Sequence, residues 1–247
     1  MKNMPPFLTL PKVLKGQTEG EQKVNARAVL QKTGKMKFIS HLDLMRCVMR
    51  SFRIAELPVS FSKGFTPHPK ISFINALPLG QESLCEPFDF SLDEDRSFED
   101  IRGGLNAAFP EGISVSEVYE ARDKAADLWE AEYIINIRTD REVPCLRDKK
   151  DIMTAIEGWY SREEIIIEKK GKNGKLRQLD IKPMVRILSL EENPSSVDMT
   201  VRLPNGSRQN LNPQIMVNSL KSFNCEPLDV ANIRKLQIFC ENGEIFR

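Results

Sequence analysis

Residues 35–80, KMKFISHLDLMRCVMRSFRIAELPVSFSKGFTPHPKISFINALPLG, decide how this 247-residue chain is read, because a capped helix, a proline-rich loop and a strand follow one another there. Ser40 is an N-cap residue type whose hydroxyl can accept from an open amide of the first turn, and Asp43 suits the positive end of the helix dipole. A helix over 41–55 is predicted. Its apolar positions Leu44, Cys47, Val48, Phe52 and Ala55 recur at three and four residues, while Arg46, Arg50 and Arg53 share the opposite side at the same spacing. Such a ridge is either a solvated face or a face that contacts phosphates.

Working outward, VNARAVLQKT (24–33) alternates as a strand and is broken by Gly34. After the helix, LPVSF is a short extended piece, and SKGFTPHP is a loop because Gly64, Pro67 and Pro69 resist helix. KISFINALPLG then returns as a strand, Pro78 and Gly80 turn it, and CEPFDFSL pairs with it as a hairpin. Ser97 caps a helix over 98–109, stopped by Pro110 and Gly112, and GISVSEVYEA closes the unit as a strand. Leaving aside LPVSF, the order is β-α-β-β-α-β, the ferredoxin-like fold.

The polar stretch ARDKAADLWE (121–130) reads as a connector with helical propensity. Beyond it come a strand at AEYIINIRT, a helix over 148–160, a hairpin across Gly171-Lys172-Asn173-Gly174, a second hairpin across Asn193-Pro194, a helix begun by Asn212-Pro213 and a closing strand at IRKLQIFCE. The fold class is therefore α+β, with tandem ferredoxin-like (βαββαβ) antiparallel sheets and helices on one face. The expected organisation is a flexible leader at 1–23, an N-terminal ferredoxin-like domain at 24–122 and a C-terminal α+β domain at 123–247, a diverged ferredoxin-like unit without a residue-level repeat.

Charge is distributed unevenly. Between Lys32 and Lys70 there are eight bases (Lys32, Lys35, Lys37, Arg46, Arg50, Arg53, Lys63, Lys70) against two acids (Asp43, Glu56), whereas the whole chain has a net charge of +1. A field concentrated in one place favours an anionic partner. From Glu82 to Asp100 the sign inverts, with eight acids and one base, Arg96. That stretch is expected to form an acidic edge that repels nucleic acid and leaves any anion to the other side.

Five cysteines at wide spacings (Cys47, Cys85, Cys145, Cys225, Cys240) indicate neither a disulfide framework nor a zinc site, and buried free thiols are expected. There is no CxxxCxxC set to ligate a radical-generating iron–sulfur cluster, no GxxxxGK[ST] and no GxGxxG, so the sequence calls for no cofactor and no metal. With no apolar run of spanning length, a cytoplasmic location is expected.

The candidate phosphate contacts are Lys35, Lys37, Arg46, Arg50, Lys63, Gly64 and Lys70, with Phe65 able to stack on a base. His41, at the helix start, is a candidate base, ligand or donor, or else a capping and packing residue. His68, between two prolines on an exposed loop, is the second candidate, and Asp43 the third. Ser40-His41-Asp43 is not a catalytic triad, since triads are assembled in space and an N-cap serine is already occupied. Two classes of function follow. The first is a non-catalytic RNA-binding module. The second is an RNA-processing enzyme with His41 or His68 as general acid or base. A purely protein-binding role is the third alternative.

KFISHLDLMR, LPVSFSKGFTPHPKISFINALPLG and SLCEPFDFSL together resemble the bacterial radical SAM-linked domain family, strongest over 37–92 and extending over about 24–210. The family motif falls on Ser40, His41, Asp43, Arg46, Ser62, Gly64, Phe65, Pro67, His68, Pro69 and Lys70. The resemblance implies an accessory module that partners a radical SAM enzyme, and the family's association with RNA metabolism implies RNA as the second partner.

Overall fold

The computed structural model describes residues 24–139, 149–170, 176–224 and 228–247. The leader, Cys145, Cys225 and the tip of the first hairpin of the second half lie outside them. The first unit runs β1 (Val24–Lys32), α1 (His41–Ile54), β2 (Ile71–Phe73), β3 (Glu82–Leu92), α2 (Phe98–Ala108) and β4 (Ile113–Tyr119). The second runs β5 (Leu128–Thr139), α3 (Lys149–Tyr160), an inserted hairpin β6 (Ile166–Lys170) and β7 (Leu176–Asp180), then β8 (Arg186–Asn193), β9 (Ser196–Pro204), α4 (Pro213–Asn224) and β10 (Leu228–Cys240). The connector forms a single 3-10 turn at Ala125–Asp127 rather than a helix, and β5 starts directly after it.

Strand order is β4-β1-β3-β2 in the first unit and β10-β5-β9-β8 in the second, so both are ferredoxin-like. The sequence pattern did not show that the two sheets are continuous. β3 and β10 pair in parallel through Arg234 with Glu82 and Lys235 with Ser83, which joins eight strands into one sheet. The junction exists because β2 is only three residues long and covers just the Phe88–Phe90 end of the β3 edge. Prolines at 67, 69 and 78 limit β2, and Asn75 turns the chain away by donating to the Asn205 backbone and side-chain oxygens at 3.0 Å. The predicted strand over KISFINALPLG is thus much shorter than its apolar pattern suggested.

Each helix pair covers one side of its own half. Leu44, Val48 and Phe52 of α1 and Ile101 and Leu105 of α2 pack on Ala26, Ala28, Leu30, Phe88, Phe90 and Leu92. Ile152, Ile156 and Trp159 of α3 and Met216, Val217 and Leu220 of α4 pack on Ala131, Tyr133, Ile135, Val197, Met199 and Val201. Along β10, Ile233 enters the second core, whereas Asn232 and Arg234 reach back to Lys37 and Glu82 of the first unit.

The seam is polar and buried. Glu82 accepts from the Gly34 amide at 3.0 Å, Asn232 Nδ2 at 2.9 Å and Arg234 Nε at 2.7 Å. Burial works to raise its pKa, but these donors outweigh burial and hold the carboxyl below the ordinary glutamate value of 4.5. Beside it, Lys235 Nζ lies 2.8 Å from Glu86 Oε1 with both side chains sequestered, and no donor among the described residues reaches Glu86 Oε2. Burial disfavours the Lys235 ammonium, yet Glu86 more than compensates and its pKa is raised. β3 is therefore an internal strand, and the expected acidic edge is corrected: Glu82 and Glu86 are consumed in the seam, and Asp89 pairs with Arg27 at 2.7 Å. Within 82–100, the exposed acids are those from Asp93 to Asp100.

Candidate functional site

α1 begins as its sequence requires: the Ser40 hydroxyl accepts from the Asp43 amide at 3.1 Å and donates to the Asp43 carboxylate at 2.7 Å. The Ser40 hydroxyl first, and Arg46 second, keep the Asp43 carboxyl below its usual range. Asp43 is thus occupied by capping and by the Arg46 ion pair at 2.8 Å. Leu44, Val48 and Phe52 are buried, and Arg46, Arg50 and Arg53 are exposed, so the ridge forms on the predicted face.

The helix ends on Glu56, a non-glycine residue in the left-handed region (φ 53°). The Glu56 amide donates to Arg53 O and the Leu57 amide to Phe52 O, a Schellman closure that buries Leu57. This turn folds the chain back beside the ridge. Residues 57–61 then run along the end of β3: Val59 bridges Leu92, and the Ser60 amide donates to Ser91 O at 2.8 Å. Ser60 Oγ also donates to Asp93 Oδ1 at 2.5 Å.

The loop closes on itself as a small ribbon. Phe61 bridges Pro69, the Ser62 amide donates to His68 O at 2.8 Å, and the His68 amide donates to Ser62 Oγ at 2.9 Å. The tip 63–67 projects from that closed base. At Gly64, φ is +148°, a backbone conformation that strains any residue with a Cβ, and the following Phe65 is fully exposed.

Between the helix and this segment lies a groove of about 590 Å³. Met49, Phe52, Leu57, Val59, Phe61 and Ile71 supply apolar lining, and Arg46, Arg50 and Arg53 form its basic side. No acid lines it. Among the described residues Arg50 and Arg53 have no ion pair, so their charge is open to a ligand.

The structure brings Arg46, Arg50, Lys63, Gly64, Phe65 and Lys70 to this helix and loop. Three other bases lie apart from the α1 ridge. Lys32 is 1% exposed, donates to Ile39 O at 3.2 Å and has its pKa lowered by burial, so it is interior rather than part of a patch. Lys37 is half-buried and donates to Asn232 Oδ1 at 3.2 Å, which gives it to the seam, and Lys35 sits with it in the turn before α1, outside the groove lining. His41 lies edge-on against Phe73 with ring centroids 5.4 Å apart, while His68 is exposed on the loop. Among the described residues neither imidazole hydrogen-bonds a side chain, and no group of three or more His, Cys, Asp or Glu could hold a metal. Cys85 is buried, with its thiol pushed up to about 12 by burial, and Cys47 and Cys240 are half-buried free thiols.

Sequence reading missed Met49 and Phe61 as groove residues and left Arg53 out of the contact set. Phe61 could have been found, since the alternation in Val59-Ser60-Phe61 places Val59 and Phe61 on one side. Met49 gave no signal, because its position beside the arginines acquires an apolar neighbour only once 57–61 folds back.

The model of the bacterial family described as "Uncharacterized protein conserved in bacteria (DUF2344)" matches residues 25–213. The chain belongs to this family. The match takes in α1, the loop and the whole groove, and ends at the first residue of α4. No curated protein matches the chain. A solved structure titled "Crystal Structure of a Cbf5-Nop10-Gar1 Complex" is similar at 11% identity with a TM-score of 0.46, over 86% of this chain and 48% of that one, so this chain spans about half its length. No helix among the described residues is long and apolar enough to cross a membrane.

Proposed function

We propose that this DUF2344 chain is a non-catalytic RNA-binding module, accessory to a radical SAM enzyme, that holds RNA on the α1 ridge and the 62–70 loop. The observation that carries the reading is the open charge of Arg50 and Arg53 beside an acid-free groove, with Lys63, Lys70 and a fully exposed Phe65 on the adjoining loop. Unpaired surface arginines can release counterions from a phosphate backbone, and an exposed ring offers a base a stacking face. Of the exposed acids of 93–100, Asp93 is tied to the groove-wall segment through Ser60 Oγ and Pro58 O, and none of them lines the groove. A binding rather than catalytic role is supported by the two histidines: one packs on Phe73, and among the described residues the other has no side-chain partner that would orient its ring. The radical SAM partner is inferred from the resemblance of the 37–92 block to radical SAM-linked chains.

The test is anisotropy or filter binding with labelled total bacterial RNA at low salt. Wild type binds and releases as salt rises, and Arg50→Glu and Lys63→Glu each weaken binding. Absence of binding at low salt to any RNA fraction overturns the reading. Cleavage of the RNA by wild type and not by His41→Ala or His68→Ala would replace it with the enzyme.

A further inference from the structure

Resting on the RNA reading above, we infer that the groove takes unpaired nucleotides, with bases against its apolar wall and Phe65 and with phosphates along the α1 arginines. A duplex keeps its bases stacked inside and shows a protein mainly phosphate and sugar. It would use the arginines and leave the exposed Phe61 and the half-buried Met49 and Val59 facing water. An apolar wall running beside a line of cations matches a strand whose bases are free, because such a strand alternates flat apolar rings with charge.

The spacing agrees with that pattern. Arg46, Arg50 and Arg53 stand four and three residues apart on one helix, about 6 and 4.5 Å along its axis. Long side chains carry the guanidiniums beyond these steps, so that neighbouring arginines can each take a phosphate of one strand. Asp43 tempers Arg46, so Arg50 and Arg53 carry most of the pull.

Phe65 supplies the second, independent observation. Its ring is fully exposed on a tip whose base is fixed by three contacts, so presenting it costs little further ordering. A lone ring without a pocket gives an aliphatic side chain little to bury against, whereas a nucleobase can cover its whole face. This favours a nucleic-acid strand over an acidic amphipathic peptide, the other anion that an apolar groove with basic walls could admit.

The experiment titrates the full chain against three labelled probes of about ten nucleotides: a mixed-sequence single-stranded RNA, the same RNA annealed to its complement, and an abasic ribose-phosphate strand of equal length and charge. The single strand is expected to bind about tenfold more tightly than either control, and Phe65→Ala to remove about tenfold for the single strand while leaving the abasic probe unchanged. Because Phe65 touches nothing in the core, its variant should keep the wild-type unfolding midpoint, which confirms that the loss is local. If the duplex or the abasic strand binds as well as the single strand, the groove inference fails and the RNA reading stands. If none of the three binds at low salt, the groove inference fails, and the RNA reading falls with it when total RNA also fails to bind; binding of an acidic amphipathic peptide instead would assign the groove to a protein partner.

Discussion

The seam and the ridge handle positive charge in opposite ways. In and around the seam Arg27, Lys32 and Lys235 are each about 1% exposed and have fixed partners: Asp89, the Ile39 carbonyl and Glu86. On α1, Arg50 and Arg53 are exposed with no ion pair among the described residues. Sequence alone places all of them in basic or mixed stretches of similar appearance. The Lys235–Glu86 pair ties β10 to β3, whereas on the proposed reading the open charge beside the apolar groove takes the ligand. Seam variants should therefore change stability, and ridge variants should change binding with stability within about 0.5 kcal/mol of wild type.

The largest expected effect is at the buried pair. Lys235→Met leaves Glu86 uncompensated in the interior and should lower unfolding free energy by roughly 3 to 5 kcal/mol in a urea titration. Adding Glu86→Leu should recover much of that loss, since replacing both partners removes the stranded charge. If the single variant is as stable as wild type, the seam does not hold the halves together.

Glu82→Gln comes next, at about 1 to 3 kcal/mol near neutral pH, because three donors lose a charged acceptor. Its pH dependence gives the sign. With the folded carboxyl held below 4.5, the stabilisation is complete above that value and disappears as pH falls through the lower folded value. The variant should accordingly lose less stability than wild type on acidification below about pH 4.5, and parallel acid profiles would contradict the assignment.

Ser40→Ala should cost about 1 kcal/mol by leaving the Asp43 amide open, read as a lower thermal midpoint with binding retained. The smallest effect is a gain. Glu56→Gly relieves the left-handed residue of the Schellman turn and should stabilise by about 0.5 to 1 kcal/mol, while also removing an acid near the ridge.

Much of this was legible in the chain. Serine caps, three-and-four spacing and proline stops placed α1, α2 and the strands, because each is a local rule that depends on neighbouring residues. The order of elements then implied the two ferredoxin-like units. What escaped was non-local. Nothing in Glu82 or Glu86 distinguishes a seam carboxylate from a surface one until β10 is docked on β3, and Lys37 looks like a surface base until Asn232, far along the chain, reaches it. The groove was half legible: its arginines follow helix periodicity, but its apolar wall appears only where Glu56 turns the chain back.

The most direct measurement is the salt dependence of RNA affinity for wild type, for Arg50→Ala/Arg53→Ala and for Lys235→Met/Glu86→Leu. If the ridge holds the phosphates, the slope of log K against log salt should fall by about 0.7 per lost contact in the ridge variant and remain at the wild-type value in the seam variant. An unchanged slope in the ridge variant, with binding intact, would contradict the account.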